Sequence, residues 1–178
     1  MAEIVLPANG WMPRSYQMPL WRYLENGGKR AMAVWHRRAG KDDVLLRATC
    51  NAMFERVGSY WHCMPEYAQA RKALWTAVNP HTGKRRVDEA IPPELRASTN
   101  EQEMFIRLVN GSTWQLIGSD RYNSLVGAGI CGFVQSETAL CNPSVRKPGQ
   151  LCGTGRKIHA EPARAQWAAG RSLLPHHC

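Results

Sequence analysis

A short apolar run, Arg30 to Trp35, leads directly into His36-Arg37-Arg38-Ala39-Gly40-Lys41-Asp42 and then into the helix-like segment Asp43-Val44-Leu45-Leu46-Arg47-Ala48. A strand, a tight Gly-Lys turn and a helix in that order constrain the chain more than any other stretch. Such a turn gathers backbone N–H groups into one hollow, and the start of the helix adds partial positive charge, so the unit suits a phosphate. Lys41 would then reach the β- and γ-phosphates of a nucleoside triphosphate. Two positions depart from the usual phosphate loop. Trp35 stands where the first Gly is customary, and Asp42 where Ser or Thr is. Taken alone, the segment also reads as a basic turn before a surface helix.

The bulk numbers narrow the partners. With 178 residues the chain can bury one core and form one domain, with room for a tail. A formal charge of +9 favours polyanions such as nucleic acid or nucleotides. No apolar stretch approaches the roughly 20 residues that span a bilayer, and no basic-then-apolar leader opens the chain. The sequence is therefore expected to act away from membranes. The cysteines Cys50, Cys63, Cys131, Cys141, Cys152 and Cys178 form no Cys-x-x-Cys pair, so they are expected to be reduced thiols of an intracellular protein.

Read along the chain, Met18, Trp21 and Leu24 fall near helical spacing, and Asn26-Gly27-Gly28 stops the pattern. Ser59 to Met64 reads as a second strand closed by Pro65, and Glu66 to Ala77 as a helix. Asn79 to Arg86 is a polar, basic loop whose Lys84, Arg85 and Arg86 either touch DNA phosphates or are plain surface charge. Met104 to Val109 and Ser112 to Ile117 flank Asn110-Gly111, a hairpin signal that fits the positive φ angles of a type I′ turn. Ile130 to Val134 is a further buried strand and ends at Gln135-Ser136-Glu137. From about Ser144 neither helical nor strand periodicity persists, apart from a weak helix over Ala163 to Leu174. Strands alternating with helices argue for a mainly parallel sheet with helices on both faces. Gly40-Lys41 and Ser136-Glu137 each follow a strand directly, so both are expected on the C-terminal rim, where such sheets bind ligands.

These residues resemble the N-terminal ATPase region of the tailed-phage terminase large subunit, the DNA-packaging motor. The resemblance runs from about Pro13 to Pro143 and rests on ordered pieces. Tyr16-Gln17 is similar to the adenine-side motif, and His36-Arg37-Arg38-Ala39-Gly40-Lys41-Asp42 to the family's variant Walker A. Pro65-Glu66-Tyr67-Ala68-Gln69-Ala70-Arg71 matches the next strand–helix unit. Gly118-Ser119-Asp120-Arg121 through Leu125-Val126-Gly127 matches the loop before Walker B, and Phe133-Val134-Gln135-Ser136-Glu137 matches Walker B.

The resemblance implies an α/β P-loop NTPase of the additional-strand type, with ATP and Mg²⁺ as its ligands. Lys41 and Arg37 would act on the phosphates, and Glu137 would orient and activate the attacking water. Asp42 and Ser136 would be the metal ligands: the loop hydroxyl and the Walker B carboxylate stand exchanged between the two positions. Tyr16 and Gln17 would contact adenine, although both also fit ordinary packing of an amphipathic helix. For a full-length protein of this kind the implied partners are double-stranded phage DNA, the portal, the small terminase subunit and further copies in a ring, in the host bacterial cytoplasm. Nothing after Pro143 resembles the family's Thr-Pro-Arg-Gly-like coupling motif or its nuclease domain. Residues 1–143 are thus expected to form a partial, incomplete ATPase domain. Residues 144–178 are expected to be a disordered or out-of-frame tail of a truncated gene. The rival readings are a helicase-like P-loop ATPase and a non-enzymatic prophage remnant that binds nucleic acid through its charge.

Overall fold

The computed structural model describes residues 4–121 and 129–141, together with the backbone of 156–162. Helix α1 spans Met18–Glu25, with Pro19 in its first turn, where a missing N–H does no harm. It buries Trp21 and Leu24 and ends where Gly27 takes a φ of 80°. Strand β1, Arg30–Trp35, follows. Helix α2, Lys41–Glu55, opens with Asp42 and Asp43 in the first turn, where carboxylates suit the helix dipole. It buries Val44, Leu45, Leu46, Cys50 and Met53 completely or nearly so. Strand β2 is Ser59–Met64.

Helix α3, Tyr67–Ala70, passes into a π-helical turn over Arg71–Trp75, so the helix expected to reach Ala77 stops short. The widened turn closes when the Thr76 backbone N–H and hydroxyl both donate to the Arg71 carbonyl. Helix α4 is Arg86–Ala90. The remaining strands are β3 (Arg96–Asn100), β4 (Phe105–Leu108), β5 (Thr113–Gly118), β6 (Gly132–Ser136) and β7 (Arg156–Pro162).

All seven form one sheet in the order β1-β7-β6-β2-β5-β4-β3. The run from β1 to β5 is parallel, and β4 and β3 add antiparallel strands at the far edge. The α/β class and the mainly parallel sheet are as expected from the sequence. Strand β7 is not: it lies in the stretch where the sequence shows no strand periodicity. A strand hydrogen-bonded on both sides is held by main-chain groups, so its pairing does not require alternating side chains. The rest of 144–178, including the weak helix expected over Ala163 to Leu174, lies outside the described residues, as does Leu125-Val126-Gly127.

The hairpin differs in its turn. Only Gly111 has a positive φ, 90°, and Asn110 does not. Leu108 N–H donates to the Ser112 carbonyl at 2.8 Å across a three-residue loop, the geometry of a type I turn followed by a left-handed glycine. Asn110 is held in place from outside the hairpin, because its side-chain amide donates to the Met53 carbonyl at 2.9 Å. That tie to the end of α2 overrides the type I′ preference of Asn-Gly.

Tyr60 and Met64 of β2 and Trp114 and Leu116 of β5 share one core with α2, with Trp75 and with Val87 and Ala90 of α4. Trp75 and Trp114 stack with centroids 6.2 Å apart. The opposite sheet face carries Trp61, Cys63, Ile117 and Phe133. Cys50, Cys63, Cys131 and Cys141 are free thiols, and burial pushes the Cys50 thiol up to about 12.

In the first turn of α4, Asp88 receives Arg85 Nε at 2.7 Å and Arg96 Nη2 at 2.7 Å, the latter from a side chain that is only 7% exposed. Burial raises the Asp88 pKa, but the hydrogen bonds and charges of Arg85 and Arg96 outweigh it and hold the carboxyl below its ordinary value. A group whose folded pKa is lowered stabilises above the unfolded pKa and loses that contribution as pH falls through the folded one. Asp88→Asn is therefore expected to lower stability at neutral pH by about 1–3 kcal/mol, because it removes the charge that pairs with Arg85 and Arg96 and leaves one acceptor oxygen where the two guanidinium groups now use two. The gap to the unmodified chain should close as the medium is made more acidic than the ordinary aspartate range. Urea unfolding of both proteins across that range checks it; a gap independent of pH would refute it.

Candidate active site

The loop after β1 owes its shape to two left-handed residues. Arg38 has φ 63° and Gly40 φ 72°, and Gly40 is the N-cap of α2. Alternation of this kind turns successive backbone N–H groups inward, an anion-binding arrangement. A side chain at Gly40 would meet Gln17 Nε2 at 3.0 Å, so both its φ and its surroundings favour glycine. Ala39, 1% exposed, is clamped from the α1 side: its carbonyl accepts Gln17 Nε2 at 2.8 Å and the Tyr16 hydroxyl at 3.0 Å. Gln17 Oε1 in turn accepts the Arg14 N–H at 2.9 Å. Gln17 is thus committed to the loop, whereas the Tyr16 ring, edge-on to Trp35 at 5.8 Å, remains partly open. His36 Nδ1 lies 2.7 Å from the Arg37 carbonyl.

Lys41 is 7% exposed, and among the described residues no carboxylate forms an ion pair with it. Arg37, Arg38, Gly40, Lys41, Asp42 and Glu137 line one cleft of about 620 Å³. Glu137 follows β6 and has φ 51° and ψ 48°, a conformation that a non-glycine residue adopts under constraint. Its Oε2 accepts Gln69 Nε2 from α3 at 3.1 Å. The cleft therefore runs between the loop after β1 and the turn after β6, on the C-terminal rim of the parallel strands.

Asp42 and Ser136 meet beneath the loop. Asp42 Oδ1 and Ser136 Oγ are buried and make no hydrogen bond of normal length, and Oδ1 lies 3.6 Å from His62 Nε2. Burial raises the Asp42 pKa, but His62, then Ser136 and Lys41, outweigh it and hold the carboxyl below its ordinary value. A carboxylate and a hydroxyl with spare oxygen lone pairs fit a hard cation such as Mg²⁺.

Arg14 and His81 line the cleft and escaped the sequence reading. Arg86, read as a DNA-phosphate candidate or plain surface charge, lines it as well and is half-buried. Arg85, read as a DNA-phosphate candidate, is instead spent on Asp88 and on Glu101 at 3.1 Å. Spacing could not reveal this division of labour, because it depends on how the loop between Val78 and Arg85, closed by an isolated bridge, is tied to Glu89 of α4 through Asn79 and Thr82. No helix among the described residues is long and apolar enough to cross a membrane.

No protein-family model matches the sequence, and no curated protein matches it. Solved structures do. The large-terminase ATPase domain of Thermus phage P74-26 superposes with a TM-score of 0.63 at 18% identity, covering 89% of this chain and 70% of that one. The large terminase of a thermophilic bacteriophage gives a TM-score of 0.63 at 12% identity, covering 85% of this chain and 39% of that one. At such identities the likeness speaks to architecture, and the chain has the fold of a phage large-terminase ATPase domain.

Proposed function

We propose that this chain is an ATPase motor domain of the kind that drives viral DNA packaging, binding ATP with Mg²⁺ in the cleft between the Gly40-Lys41 loop and Glu137. One observation carries the reading: a largely buried lysine that has no ion pair among the described residues and a constrained glutamate line the same cleft at one sheet rim. The fold supports it, because the structures that share it are ATPase domains of packaging terminases.

Phosphoryl transfer asks a protein mainly for positioning and for charge that matches the transition state. The N–H groups of Gly40 and of the first turn of α2 would cradle the phosphates, the Ala39 N–H being used within the loop on the His36 carbonyl, and Lys41 would neutralise β- and γ-phosphate charge. Arg37, exposed at the mouth of the loop, is free to reach the γ-phosphate from within the same chain. Arg38 and His36 complete the loop. Glu137 would accept a hydrogen bond from the attacking water and draw off its proton. Mg²⁺, held by Asp42 and Ser136, would supply further neutralisation of the phosphate oxygens. The Tyr16 ring offers a stacking face on the adenine side, and Gln17 acts there by holding the loop.

Double-stranded DNA is the proposed track, in keeping with the +9 charge, and the portal, a small terminase subunit and a ring of copies are the proposed partners of the assembled motor in a host cytoplasm. Calorimetric titration of the chain with a non-hydrolysable ATP analogue and Mg²⁺ tests the core of the reading, alongside phosphate release from ATP with and without duplex DNA. Saturable one-to-one binding that ADP competes away is expected, with turnover raised by DNA. Absence of saturable binding would favour a remnant that binds nucleic acid by charge alone.

A further inference from the structure

Asp42 is the odd residue of the loop, and what lies under it explains how the fold accommodates a carboxylate there. His62 of β2 is 0% exposed, and neither ring nitrogen makes a hydrogen bond of normal length. Its ring stands edge-on to Trp114, with centroids 6.4 Å apart, which fixes its orientation. Leucine in this place would fill the space with no polar group to desolvate, so an imidazole needs a reason. Its Nε2 lies 3.6 Å from Asp42 Oδ1. In the β2–β6 register His62 is opposite Val134, so by alternation Ser136 faces the same way, toward the start of α2. Three elements thus bring His62, Ser136 and Asp42 together: β2, β6 and the first turn of α2. Asp42 Oδ1 is buried in that meeting while the side chain keeps 25% of its surface exposed and lines the cleft, which leaves Oδ2 on the cleft side.

We propose that His62 is a positioning residue for the divalent-cation site: it holds Asp42 by Oδ1 so that Oδ2 is presented to the cation that accompanies the nucleotide. The proposal rests on the ATP reading above and deepens it. The outer partner of a metal-binding carboxylate fixes its direction and basicity, and its loss typically weakens metal binding about 10- to 100-fold.

Mn²⁺, followed by electron paramagnetic resonance in the presence of a non-hydrolysable ATP analogue, serves as the probe on the full chain. His62→Leu is expected to weaken Mn²⁺ binding roughly 10- to 100-fold, while affinity for the analogue in EDTA stays within about twofold. His62→Gln, whose amide N–H occupies the place of Nε2, is expected to stay within about threefold of the unmodified chain. His62→Asn, too short to reach Asp42, should behave like the leucine variant, and it decides the matter if the leucine variant does not fold. Unchanged Mn²⁺ affinity in His62→Leu or His62→Asn, with Asp42→Asn impaired, overturns the role of His62 alone. Unchanged affinity in Asp42→Asn as well, or no nucleotide-dependent Mn²⁺ binding by the unmodified chain, overturns the assignment of the cation site itself.

Discussion

Alanine in place of Lys41 is expected to weaken binding of an ATP analogue by about 3 kcal/mol, on the order of 100-fold, without lowering the stability of the nucleotide-free protein. The two halves of this expectation have one origin. The residue is largely buried, and among the described residues no carboxylate forms an ion pair with it. Without nucleotide, its removal therefore breaks no ion pair among the described residues. Alanine is also the best helix former for the first residue of α2. With nucleotide present the same ammonium becomes the principal counter-charge to the phosphates. Thermal unfolding and calorimetric titration of Lys41→Ala, side by side, give the signs: a melting point that holds or rises, and an affinity that falls. A variant that binds like the unmodified chain would remove Lys41 from the site, and one that merely unfolds would make the residue structural.

Glu137→Gln should separate binding from turnover. Loss of a positioned general base typically slows the chemical step about 10²- to 10⁴-fold. The amide keeps the size of the side chain, and its carbonyl oxygen can still accept the Gln69 Nε2–H that now reaches Oε2 at 3.1 Å. The left-handed backbone at 137 is equally tolerable for either residue. Analogue affinity is accordingly expected within about threefold of the unmodified chain while phosphate release collapses. Single-turnover measurement at saturating ATP reads the difference, and an undiminished rate would take the glutamate out of the chemistry.

Much of the fold was open to a reader of the sequence, for physical reasons that differ by element. β1 and β2 are short apolar runs whose bounds emerge unchanged: β2 is buried and stopped by Gly58 and Pro65, while β1, at the sheet edge with only Ala33 buried, still carries the apolar run that sets it off from the polar loop after it. β3, Arg96–Asn100, went unread: it is mostly exposed at the sheet edge, so polar residues suffice. The hairpin was visible but its turn was not, since Asn110 answers to Met53, a residue 57 positions away. At the cleft, Gly40-Lys41 and Ser136-Glu137 could be brought together on paper because both follow parallel strands directly. His62 could not, and Gln17 could be assigned only to the adenine side, not to the loop it holds. Their significance depends on single contacts, with Asp42 and with Ala39, that arise only when β2 and α1 are packed against the loop.

The two walls of the cleft do not spring from neighbouring strands. β7 stands between β1 and β6, its backbone paired to both. The strands that lead into the two walls are thus two ladder steps apart, roughly 9–10 Å, a spacing dictated by peptide geometry. The interposed segment serves as a shim: its main chain sets how far the lysine loop and the glutamate turn start from one another.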